Sequence, residues 1–134
     1  MGRPLPKWMR AHVARCCAAF GLDAPGYRLY ITRQKRVNGD KDIAGYTYSA
    51  ARYHRAHVRF RKQQPTDRYE VVTHELLHAA LGRQGEAVDI IVAQLPKHQR
   101  ALALETWHAA NEAAITQVAR ALTPILQKEE PPRD

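Results

Sequence analysis

The stretch Val71-Val72-Thr73-His74-Glu75-Leu76-Leu77-His78 sets two histidines four residues apart, with a glutamate directly after the first. On an α-helix, residues i and i+4 stand one turn apart on one face, so two imidazoles at this spacing can bind the same metal ion. Glu75 projects about 100° further round the helix, within reach of a water held by that ion. Such a trio suits chemistry on a metal-bound water. With His 7 in 134 residues, H-E-x-x-H arises by chance in roughly two of a hundred such chains, so coincidence is a weak rival.

A helix has to carry this motif. Pro65-Thr66-Asp67 precedes it, and Asp67 with Glu70 forms a capping-box pattern, so the spacing predicts a helix from Asp67 to about Leu81 with Gly82 as its stop. Gly85 then reopens the chain into a short apolar helix, Glu86 to Leu95, closed by Pro96. A last helix starts near Lys97, with Leu104, Trp107, Ile115, Val118 and Leu122 as its apolar stripe, and Pro124 is expected to break or kink it after Thr123. Packing of this helix across the metal helix is favoured over pairing with a second chain. Residues 128–134 read as a disordered tail after a single domain of residues 1–127.

Upstream, Leu5, Met9, Val13, Cys16 and Phe20 recur at helical steps, giving a helix from about Pro6 to Phe20 that ends at Gly21. Three strand-like segments follow: Tyr27 to Thr32, Ile43 to Ser49 after a turn at Asn38-Gly39-Asp40, and Tyr53 to Arg61. In the third, His54, Ala56, Val58 and Phe60 alternate with Arg55, His57, Arg59 and Arg61, which puts a basic row on one face. The fold class is therefore α+β: an N-terminal helix, a small three-stranded, mostly antiparallel sheet, the histidine helix, and C-terminal helices.

Composition narrows the function classes. At 134 residues, 45% hydrophobic and 25% charged, the chain suits one core and needs neither disulfides nor a structural metal for stability. No apolar run approaches a membrane span, so no membrane partner is expected. The N-terminal residues carry prolines where an export signal has an apolar core, and a disulfide between the adjacent Cys16 and Cys17 would be strained; both point to a reducing cytoplasm. Lys+Arg 21 against Asp+Glu 13 gives a charge of +8, which attracts polyanions and makes Arg55, Arg59 and Arg61 a candidate nucleic-acid surface. A solvated face, or a charged edge strand protected from aggregation, explains the same row.

From about Leu5 to Leu95 the chain resembles the zincin metallopeptidases, in particular the very small HExxH domains of phage and bacterial proteins related in plan to the SprT-like and minimal gluzincin families. The HExxH core alone carries the specificity of this resemblance. It implies a zincin-like fold, one Zn2+ per chain bound by His74 and His78, Glu75 as general base, a protein or peptide substrate, and a location in the cytoplasm of a bacterial or phage-infected cell. The longer metzincin pattern fails, since Leu81 stands where its glycine belongs and Gln84 where its third histidine belongs. In larger gluzincins the ligand Glu follows at a distance, and the first Glu at such a distance here is Glu105.

Glu86 is the preferred third ligand, because a reversal over Gly82 to Gly85 would bring the first turn of the next helix back over His78. Asp89, on the same face, is the acceptor expected to orient a histidine ring, or an alternative ligand. His98 and His108 are fallback ligands. The expected mechanism has zinc acidifying a water and polarising the scissile carbonyl, while Glu75 takes the water's proton and passes it to the leaving amine. Tyr46, Tyr48, His54 and His57 are candidates for stabilising the oxyanion, and sequence does not rank them. The Tyr53 to Arg61 segment resembles the edge strand that pairs with substrate beside a zincin's metal helix. A reading from another class stands beside the enzyme: a catalytically silent zincin-like binding or scaffold module, associated with nucleic acid.

Overall fold

The computed structural model describes residues 5–40, 42–50 and 53–128. Its elements run α1 (Lys7–Phe20), β1 (Arg28–Gln34), β2 (Gly45–Ala50), β3 (Arg55–Arg61), α2 (Arg68–Ala80), α3 (Gly82–Ala93) and α4 (Lys97–Lys128). The fold is α+β as expected, but the sheet is mixed and not mostly antiparallel. Its order is β1-β3-β2, with β1 and β3 parallel and β2 antiparallel to β3.

That order makes β3 the central strand, so the reading of Tyr53 to Arg61 as an edge is corrected. Alternation of apolar and charged residues marks any strand of a one-sided sheet and does not distinguish centre from edge. Ala56, Val58 and Phe60 are wholly buried, and on the same side of the sheet α1 and α2 contribute Met9, Cys16, Val72 and Leu76 to one core. Truncating a filled position such as Leu76 to Ala costs about 2–5 kcal/mol. β2 takes the edge beside α2.

The helix boundaries show where local signals hold and where packing overrides them. Gly21, at φ 76°, caps α1 in the left-handed region, which only glycine enters without a Cβ penalty. Asn38 and Gly39 both have positive φ in a tight turn closed by the Asp40 N–H donating to Val37 O at 2.9 Å. Asp67 is the N-cap of α2, yet its side chain makes no capping hydrogen bond, and Glu70 instead faces Arg120 of α4 with 3.6 Å between Oε2 and Nε.

One expected stop holds and one is passed through. α2 ends at Leu81, whose N–H donates to Leu77 O at 3.0 Å, and the chain enters α3 at once at Gly82. Pro124 lies inside α4, which continues to Lys128 because Leu126 is buried in the main core and anchors the last turn. Of the proposed tail, 129–134 lies outside the described residues. The C-terminal half of α4 packs across α2, with Ile115 and Ala119 buried against Leu77.

A buried polar knot ties the helices behind the histidine pair. The Thr73 hydroxyl donates to Tyr69 O at 3.0 Å and lies 2.8 Å from His12 Nε2 of α1 and 2.9 Å from Thr123 Oγ1 of α4. His12 and Thr73 are both fully buried, so these hydrogen bonds replace the water each group gave up.

Candidate metal centre

His74 and His78 lie on the half-buried side of α2, their ring centroids 4.9 Å apart and inclined at 61°. Their Nε2 atoms approach to 3.2 Å. α4 brings a carboxylate to the same point: Glu112 Oε1 is 2.7 Å from His74 Nε2, and Oε2 is 2.9 Å from His78 Nε2. These three residues form a cluster whose ligand atoms all lie within 4.8 Å of one another.

The donor set fits a divalent ion. Two imidazole nitrogens on one tetrahedral zinc, each at 2.0–2.1 Å, stand about 3.3 Å apart, close to the separation of His74 and His78. Two imidazole lone pairs and a carboxylate converging on a point are what a cation needs. His74, His78 and Glu112 can therefore hold a metal ion, with two neutral ligands and one anionic one.

Glu75 lies on the same turn, 8% exposed, and is fixed from β2. The Thr47 hydroxyl donates to Glu75 Oε1 at 2.7 Å and lies 2.9 Å from the Glu75 backbone carbonyl. Gly45 makes room: a Cβ there would come within 2.8 Å of Glu75 Cγ and 3.3 Å of Phe60 Cδ1. Burial raises the Glu75 pKa above the ordinary carboxylate value, opposed by the Thr47 hydrogen bond and by His78 and His74, and reinforced by the negative charge of Glu112.

Beside His78 and Glu112 lies a cleft of about 760 Å³ between β2 and helices α3 and α4, lined also by Tyr46, Tyr48, Glu86 and Trp107 among others. Its size is ample for a short peptide segment. A smaller cavity of about 250 Å³ opens beside His74 and Glu75, against Gly45 and Asp67.

The other sequence-predicted residues are distributed unevenly. Glu86 and Asp89 both line the cleft on its α3 wall, but Glu112 is the carboxylate brought to the histidines. The expected chain reversal at Gly82 to Gly85 is replaced by helix, which places Glu86 along α3 and not in a turn folded over His78. Tyr46 and Tyr48 border the cleft along the edge strand, but register with Arg59 and His57 turns their rings to the open face of the sheet, where His57 stacks on Tyr30. His54 sits in the β2–β3 turn at φ 54°. His108 lines the cleft one turn before Glu112 without joining the cluster, and His98 and Glu105 are exposed on α4 away from it. Sequence reasoning missed Glu112. The one available signal was its distance beyond His78, which it shares with Glu105.

No protein-family model matches the chain, and no curated protein or solved structure matches it.

Proposed function

We propose that the chain is a zinc-dependent peptidase whose metal is held by His74, His78 and Glu112. The observation that carries this reading is the convergence of the α4 carboxylate on the HExxH pair, with Glu75 buried beside it and held by Thr47. When bound, zinc supplies Lewis acidity, acidifying a water toward neutral pH and polarising a scissile carbonyl.

The protein's own groups do the rest. With Oε1 fixed by Thr47, Glu75 offers its other oxygen to accept the proton of the attacking water and to return it to the leaving amine. β2 borders the cleft and has a strand partner, β3, on one side only among the described residues, so its outer edge can pair with an extended substrate backbone. Tyr46 and Tyr48 stand in register with Arg59 and His57, on the face of the sheet opposite Thr47 and Glu75, so the oxyanion role does not fall to their hydroxyls.

The test is cleavage of a quenched-fluorescent peptide library by zinc-loaded protein and by its Glu75→Gln variant. Loss of the general base is expected to lower the rate at least about a hundredfold with zinc still bound. Undiminished cleavage by Glu75→Gln would contradict the reading.

A further inference from the structure

The helices cover one face of the sheet and leave the other open. Register places its residues in rows across the three strands: Arg28, Arg55 and Ala50; then Tyr30, His57 and Tyr48; then Thr32, Arg59 and Tyr46. The middle row is aromatic from edge to edge, and Tyr30 and His57 already form a two-ring stack with centroids 4.8 Å apart and planes 16° from parallel. Tyr30, Tyr46 and Tyr48 are 43%, 44% and 61% exposed. Rings of this size are seldom left in water without a use.

The charge on this face has one sign. None of the three strands contains Asp or Glu. Arg28, Arg55 and Arg59 flank the aromatic row, and Arg55 lies over the ring of Tyr53 at 5.4 Å. Where β1 and β3 end together, Lys35, Arg36, Arg61 and Lys62 line a cavity of about 620 Å³ that continues the basic track.

We propose that this open face binds single-stranded DNA, with bases extending the Tyr30–His57 stack and phosphates lying along the arginines. An acidic protein would match the charge but has no use for a row of rings, and a duplex keeps its bases stacked on one another and out of reach. The rings and arginines engage bases and phosphates, which DNA supplies without any contribution from a 2′-hydroxyl. The face lies across the sheet from the metal centre, and the inference stands independently of the peptidase reading.

Fluorescence anisotropy of the full chain with a labelled thymidine oligonucleotide of about 15 residues, in EDTA, tests it. Tyr30→Ala and His57→Ala are each expected to weaken binding about tenfold, and Tyr30→Phe to stay within about twofold of the native chain. Both positions are exposed, and circular dichroism melting verifies that each variant is folded. The slope of log K against log salt is expected near −2 for three phosphate contacts, and about 0.7 shallower in Arg55→Ala. No binding at low salt, native affinity in both alanine variants, equal or tighter binding of duplex, about tenfold tighter binding of the uridine oligonucleotide, or equal competition by polyglutamate would each overturn the proposal.

Discussion

In the proposed reaction Glu75 has two demands on it, since it would be buried to be held in place and ionised to act as a base. Burial favours its protonated form, so in the metal-free protein it takes up protons on folding between its ordinary value of 4.5 and its raised folded value. The folded state then binds more protons than the unfolded one, and stability falls as pH rises through that window. Urea denaturation in EDTA is expected to show the midpoint of Glu75→Gln rising relative to that of the native chain as pH increases through the window. The thiols respond to burial in the same direction. Cys16 and Cys17 are both raised to about 11 by desolvation. Neither thiol is expected to react appreciably with Ellman's reagent at pH 8 in the folded protein, and both should react within seconds in denaturant. His74, Glu75 and His78 were legible in the sequence because helical spacing alone sets their geometry. Glu112 was not, because it meets His78 across 34 residues and its position depends on how α4 crosses α2.

At the scale of elements, β2 positions the base through two small residues. Gly45→Ala would push a methyl group to within 2.8 Å of Glu75 Cγ, and is expected to lower peptide cleavage about a hundredfold while leaving zinc content unchanged. Thr73 does for the helices what Thr47 does for the base. Thr73→Val leaves His12 and Thr123 without a shared partner and is expected to cost about 2 kcal/mol in urea denaturation. Every helix and strand was visible in the periodicity, within a few residues. The strand order was not, because β3 reads the same at the centre of a one-sided sheet as at its edge. The continuation of α4 past Pro124 was equally hidden, since the burial of Leu126 that sustains it is a tertiary contact.

Across the whole molecule, the candidate metal centre joins elements that are distant in the chain, with two of its side chains on α2 and one on α4. An ion bound there favours the folded chain by mass action, by about 2.7 kcal/mol at a hundredfold excess over Kd, or roughly 8 °C in Tm. Scanning calorimetry with zinc and then with chelator is expected to show that rise and its reversal. The sheet separates two surfaces of different chemistry, a cleft with acidic and imidazole groups on the helix side and an aromatic, basic face on the other. Zinc content by mass spectrometry of protein purified without chelator tests the central claim most directly. About one zinc per chain is predicted in the native protein and in Glu86→Ala, with occupancy sharply reduced in Glu112→Ala and absent when both His74 and His78 are replaced by Ala. Full zinc in Glu112→Ala, or none in the native chain after reconstitution, would contradict it.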